Sequence, residues 1–197
     1  LCGRFAADYR TRGAWGLWRH AIPHPLLIEG AVHHFDQLRN LSCADCAQLT
    51  GWDWQPAWSS FDHQSSALFV LTMTSGARAS YEANCSEAGW TNPWHREYYR
   101  AECEHGTLVL DQDNVVRIMV HDSAGKDSVE VVGPVKPPFA HGHQVQIAQF
   151  LDWREGGPTP DAVLPDNLKS VAMVFAAMQA SEENRVVDVT ALVAQAG

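Results

Sequence analysis

Glu29, His33 and Asp36 stand four and three residues apart in His24-Pro25-Leu26-Leu27-Ile28-Glu29-Gly30-Ala31-Val32-His33-His34-Phe35-Asp36-Gln37-Leu38. On a helix that spacing puts all three on one face, while Leu27, Ala31, Phe35 and Leu38 form a separate apolar face. A carboxylate beside an imidazole raises its pKa and orients its ring. This is what a general base working near neutral pH requires. Spacing alone also allows a plainer reading, a solvated helix face with a histidine as N–H donor.

Other residues could bind. Trp15, Trp18 and Arg19, and further on Trp52, Trp54 and Trp58, have the types that recognise sugars. Sugar C–H faces pack on indoles, and a guanidinium supplies paired donors. Trp94, His95 and Arg96 form a second such group, and His34 beside His33 joins the substrate-binding candidates. The plainer alternative is loop residues covering a sheet. The ten histidines include His20-xxx-His24, His33-His34 and His141-Gly142-His143, and Cys43-Ala44-Asp45-Cys46 is one C-x-x-C. A zinc site needs three or four converging ligands. With no second cysteine pair nearby, loop cysteines are the simpler reading, and no metal is expected.

The elements that must position these residues can be read from pattern. Residues 1–10 suggest a strand and 11–23 a loop rich in Arg and Trp. Pro25 fits the first turn of a helix running from Leu26 to Leu41. From about 47 to 133 the texture is short strands. Ser66–Thr74 and Ala77–Cys85 flank Thr74-Ser75-Gly76, Tyr98–Glu104 and Thr107–Asp111 flank His105-Gly106, and Val115–His121 and Ser128–Val132 flank Ser123-Ala124-Gly125-Lys126. Connections this short imply an antiparallel meander. After a linker at Gly133–Pro138, helices are expected at His141–Arg154 and Asp166–Glu183, with Asp166 as N-cap. The stripes Val145, Ala148, Leu151 and Leu168, Val171, Ala172, Phe175, Met178 are expected in the core. Val186–Val189 reads as a last short strand. The fold class is therefore α+β, a mainly antiparallel open-faced sheet with helices packed on one face, in a single domain over 1–197.

Composition narrows the partners. The 197 residues are 46% hydrophobic and 19% charged, an ordinary globular balance. The net charge of −9 argues against nucleic acid or an anionic membrane as partner. No apolar run reaches the roughly 18 residues that span a bilayer. Five cysteines without scaffold spacing suggest a reduced, cytoplasmic setting. No G-x-G-x-x-G follows a strand, so no dinucleotide is expected to bind this chain alone. The opening LCGRFAADYR reads like the middle of a strand rather than a signal peptide, so a longer protein is expected.

The acid–three residues–His–two residues–Asp spacing of Glu29, His33 and Asp36 resembles a motif of the Gfo/Idh/MocA family (glucose-fructose oxidoreductase, inositol dehydrogenase and relatives), which usually has Asp where this chain has Glu29. Ile22-Pro23-His24-Pro25-Leu26-Leu27, Gly89-Trp90-Thr91-Asn92-Pro93-Trp94-His95-Arg96-Glu97 and Ala180-Ser181-Glu182-Glu183-Asn184-Arg185-Val186-Val187-Asp188-Val189 resemble further segments of that family in the same order. The resemblance implies a C-terminal substrate-binding and oligomerisation domain, preceded in the full-length protein by a Rossmann domain holding NAD or NADP and a Glu-Lys-Pro lysine. Lys126, Lys136 and Lys169 lie outside such a motif. It further implies that His33 deprotonates a hydroxyl of a sugar, polyol or cyclitol while a hydride leaves the same carbon for nicotinamide. The fragment alone would then be inactive. Family members commonly pair by packing these sheets face to face, which implies a homodimer or homotetramer. Leu68 and Val70 against Phe69 and Leu71, and Val115 and Ile118 against Val116 and Met119, put apolar residues on both sides of the strand alternation and point the same way. The alternatives are a non-catalytic ligand-binding or oligomerisation module and, more weakly, a metal-dependent hydrolase.

Overall fold

The computed structural model describes residues 1–122, 124, 127–133 and 142–196. Ser123, Gly125 and Lys126 of the third expected turn, the expected linker after Gly133 with Lys136, and His141 lie outside them. The described elements are β1 (Cys2–Ala6), α1 (Leu17–Ala21), a π-helical turn (Leu27–Ala31) running into α2 (Val32–Ser42), β2 (Cys46–Trp54), β3 (Ser66–Met73), β4 (Arg78–Asn84), β5 (Tyr98–Cys103), β6 (Gly106–Leu110), β7 (Val116–Val120), β8 (Ser128–Val132), α3 (Gly142–Arg154), α4 (Leu164–Glu183), β9 (Val187–Asp188) and α5 (Val189–Ala196). This is the expected α+β class.

The strands form one sheet in the order β8-β7-β6-β5-β1-β4-β3-β2-β9. Its runs β2-β3-β4 and β5-β6-β7-β8 are the meanders that the short turns imply. They do not pair with each other, because β1 lies between them, parallel to β4 and antiparallel to β5. The segment from Cys85 to Glu97 leaves the sheet instead of turning tightly, so β1 can take the β4 edge, with bridges Ala6–Asn92 and Asp8–Ser86 extending the contact. That segment carries Trp94.

The core lies between the helices and the β1–β4 part of the sheet. Leu27, Ala31, Phe35 and Leu38 are all fully buried, as the apolar face of the first helix requires. Phe35 meets Phe69 and Tyr81 edge-on, at ring distances of 6.4 and 5.0 Å. Gly51 in β2 has φ +146, and a Cβ there would collide with the Leu68 carbonyl oxygen, so the strand needs glycine.

Three expectations about the later helices are corrected. In α4 the buried face is Ser170, Ala172, Met173, Val174, Ala176, Ala177 and Ala180. Phe175 and Val171 point outward instead, at 60% and 37% exposure. Small side chains let the helix backbone approach β2 closely, so alanines rather than the largest apolar residues face the sheet. In α3 no side chain is buried, and Ile147, Phe150, Leu151 and Trp153 stand exposed. Asp166 is not the N-cap: Val163 holds that position, Pro165 sits in the first turn, and the Asp166 carboxylate pairs with Arg39. The expected loop at 11–23 contains α1, and the chain continues past β9 into α5.

Candidate functional site

The first helix begins at Pro25, and its Leu27–Ala31 segment is π-helical. Such turns recur at functional sites. Glu29 and His33 share no hydrogen bond among the described residues. Glu29 turns toward α1, where Arg19 Nε donates to its Oε2 at 2.9 Å. The Arg19 guanidinium lies over Trp18 at 4.4 Å and over Trp15 at 5.2 Å, and Trp15 stacks on Tyr9 at 5.2 Å. Trp18 is half exposed. The structure thus gathers Glu29, Arg19 and Trp18, with Trp15 and Tyr9, into one aromatic and ionic group.

One turn on, His33 is exposed and meets the edge of Trp94 at 5.6 Å and 87°. Trp94 also stacks on His34 at 5.3 Å and packs on Phe5 at 4.7 Å. Arg4 and Asn92 hold the segment carrying Trp94. Arg4 donates from Nη2 to the Trp90 carbonyl at 2.9 Å and from Nη1 to the Asn92 side chain, and Asn92 Nδ2 donates to the Arg96 carbonyl at 3.1 Å. His95 comes next, with φ +65, and is exposed. Arg96 lines an open depression of about 620 Å³ with Val109, Asp111 and Arg117.

Asp36 faces another way. Its Oδ1 accepts from Ser170 Oγ at 2.7 Å and from Arg39 Nη1 at 3.3 Å. Arg39, only 8% exposed, also binds Asp45 and Asp166, each at 2.8 Å. Asp36 therefore ties α2 to α4. Trp52 and Trp54 project from the outward-facing positions of β2, on the opposite side of the strand from buried Asp53.

His34 is buried. Its Nδ1 lies 2.8 Å from the Tyr81 hydroxyl, and Glu97 Oε1 lies 3.8 Å from its Nε2. Burial pushes the His34 imidazole pKa down, with Glu97 opposing. Burial works to raise the Glu97 carboxyl, but His34 and the amides of Glu97 and His95 outweigh it and hold the group below the usual range. Sequence reasoning does not single out Glu97 or Tyr81. Tyr81 comes from β4 and Glu97 from the residue before β5, both far from His34 in sequence, so local spacing leaves no trace of them. It also misses His24 as a structural group, whose ring joins Asp53 of β2 to Glu182 of α4.

Among the described residues no three His, Cys, Asp or Glu converge as metal ligands. His20 stacks on Phe61 at 4.0 Å with its nitrogens facing the Gly16 and Tyr9 carbonyls. Cys43 is exposed, whereas Cys46 is buried and its thiol is pushed up to about 12, so the pair offers no two thiolates. Among the described residues no helix is long and apolar enough to cross a membrane.

No protein-family model matches the chain. It is 33% identical over 183 residues to the uncharacterized protein y4oX of Sinorhizobium fredii, covering 89% of this chain and 50% of that protein. An oxidoreductase from Agrobacterium radiobacter, solved with NAD+, L-tartaric acid and magnesium, superposes with a TM-score of 0.77 at 19% identity, covering 98% of this chain and 57% of that one. Levoglucosan dehydrogenase with NADH and levoglucosan gives a TM-score of 0.75 at 16% identity, over 95% of this chain and 58% of that one. An oxidoreductase domain protein from Kribbella flavida gives 0.76 at 16% identity, over 95% and 57%. The chain has the fold of these oxidoreductases. They are of Gfo/Idh/MocA type, the type whose motifs the sequence resembles. The chain spans half the length of its curated relative and 57–58% of these solved ones.

Proposed function

We propose that this chain is the C-terminal, substrate-binding part of an NAD(P)-dependent oxidoreductase acting on a hydroxyl or carbonyl of a sugar, polyol or cyclitol. The observation that carries this reading is the fold match over 98% of the chain to an oxidoreductase bound to NAD+, with His33 exposed on the motif helix beside an aromatic and ionic group. Levoglucosan, bound to one of the neighbours, is an anhydro-sugar of the same chemical class.

In this reading His33 takes the proton from the reacting hydroxyl. A general base of this kind contributes about 10²-fold or more. Glu29, held by Arg19, and the indole of Trp18 bind the substrate's polar rim and ring faces. Trp94, His95 and Arg96 lie on the other side, with His34 buried against Trp94. Asp36 acts through the helix, fixing α2 against α4 by way of Ser170 and Arg39. The described residues contain no strand, glycine-rich turn and helix in succession, so they do not by themselves fit the dinucleotide pyrophosphate. NAD or NADP would be held by the rest of a longer protein and would supply the redox chemistry.

The exposed outer residues of the sheet, Leu68, Val70, Val129 and Val131, favour assembly of two or four copies through that face. The catalytic reading is tested in the longer protein by His33→Ala. Turnover is expected to fall about 10²-fold or more with the fold intact; unchanged turnover would remove His33 from the reaction.

A further inference from the structure

The two carboxylates that helical spacing offers to His33 are both engaged elsewhere. Glu29 accepts from Arg19 at 2.9 Å, and Asp36 accepts from Ser170 at 2.7 Å and from Arg39 at 3.3 Å. Neither hydrogen-bonds or ion-pairs with His33, and nothing else among the described residues does. A general base still has to hold its ring toward the proton it takes, because a misdirected group loses much of its effect. The ring that meets His33 is Trp94, at right angles, with 5.6 Å between centroids and 87° between planes. Aromatic pairs prefer this arrangement at about 4.5–7 Å.

Trp94 is itself fixed. Its ring packs on Phe5 at 4.7 Å and lies nearly parallel to buried His34 at 5.3 Å. Its six-membered ring runs along the motif helix at Gly30, where a Cβ would sit 3.8 Å from Cζ2 and Cη2. The backbone on either side is tied down as well. Asn92, two residues before, exchanges backbone hydrogen bonds with Ala6 of β1 at 2.8 and 3.0 Å. The Asn92 side chain also donates to the carbonyl of Arg96, two residues after, at 3.1 Å. The indole is held on several sides, whereas the imidazole beside it is exposed. An exposed side chain without other partners samples several staggered rotamers, and a fixed indole against its ring removes some of them.

We infer that Trp94 is a positioning residue for His33: its fixed indole, in place of a carboxylate, sets the direction of the imidazole toward the reacting hydroxyl. The role rests on the reading of His33 as the base. It differs from substrate binding, because loss of a binding contact raises KM, whereas loss of positioning lowers kcat.

The test is made in the longer protein, on the wild type, Trp94→Phe, Trp94→Leu and His33→Ala, with two readouts. ¹³C relaxation reports the order of the His33 ring. The ring should be ordered in the wild type and in Trp94→Phe, and should loosen in Trp94→Leu. Steady-state kinetics use whichever of myo-inositol, D-glucose, L-sorbose and levoglucosan the wild type turns over fastest. Trp94→Leu should lower kcat about 10-fold or more, with KM within about 2-fold of the wild type, and Trp94→Phe should keep most of kcat. Trp94→Met takes the place of Trp94→Leu if the latter does not fold. A His33 ring as ordered in Trp94→Leu as in the wild type would overturn the inference. So would a raised KM with unchanged kcat, which would make Trp94 a substrate contact alone. Both results leave the base reading standing. Wild-type turnover in His33→Ala, or no turnover of any of the four by the wild type, would sink that reading and this role with it.

Discussion

Both ring nitrogens of His24 face carboxylates, Asp53 at 2.6 Å and Glu182 at 3.0 Å. Only the imidazolium can donate to both. The hydrogen bond to Asp53 is the main reason its pKa is raised, against burial, which works to lower it. A raised folded pKa means stability that is fully present below the unfolded value of about 6.5 and lost as pH climbs through the folded one. His24→Gln should therefore lower stability by about 3 kcal/mol at pH 6, because it strands the buried Asp53 carboxylate. The gap between variant and wild type should narrow as pH rises above about 6.5. Urea unfolding across that range checks it, and a gap independent of pH would contradict the clamp. In the sequence His24 shows as half of a possible metal pair with His20 and within a family-like segment, not as a clamp. Its partners come from β2 and α4, and nothing local names them. Helical spacing picks out Glu29, His33 and Asp36 without knowledge of the rest of the fold, but the structure turns Glu29 to Arg19 and Asp36 to Ser170 and Arg39, so the three do not act as one face. What spacing does not carry is the π-helical turn at Leu27–Ala31 or the Arg19 partner that Glu29 finds in α1.

The first helix and the later strands are legible for the same physical reason: their turns and apolar periods are local. Helix α4 is legible too, but its buried face is not, because the sequence pattern ranks side chains by size. At a close helix–sheet contact the small residues go inside. Met173 is fully buried and Phe175 is 60% exposed. Met173→Ala should therefore cost about 2–5 kcal/mol, whereas Phe175→Asp should change the stability of the isolated chain by no more than about 0.5 kcal/mol. Denaturant midpoints of the two variants decide it, and a larger loss from Phe175→Asp would mean that this face is covered in the chain itself. The apolar surface of α3, with Ile147, Phe150, Leu151 and Trp153, has the same character. It suits contact with the rest of a longer protein.

At the scale of the molecule the sheet has a covered face and a bare one. Phe69 and Leu71 are fully buried, and their neighbours Leu68 and Val70 are 43% and 51% exposed. Self-association through the bare face is expected at micromolar concentration. Sedimentation should then give a mass above the 21.8 kDa of one chain, and a clean monomer would refute it. Global strand order is where sequence reading stops. The insertion of β1 between the two meanders depends on which strand edge stays free, and that is a property of the whole sheet. The central claim concerns the longer protein. Its most direct test is reduction of NAD and of NADP by that protein, monitored by nicotinamide absorbance over a panel of sugars, polyols and cyclitols. Substrate-dependent formation of NADH or NADPH is the expected result. No reduction with any member of the panel, by a folded protein that binds the dinucleotide, would contradict it.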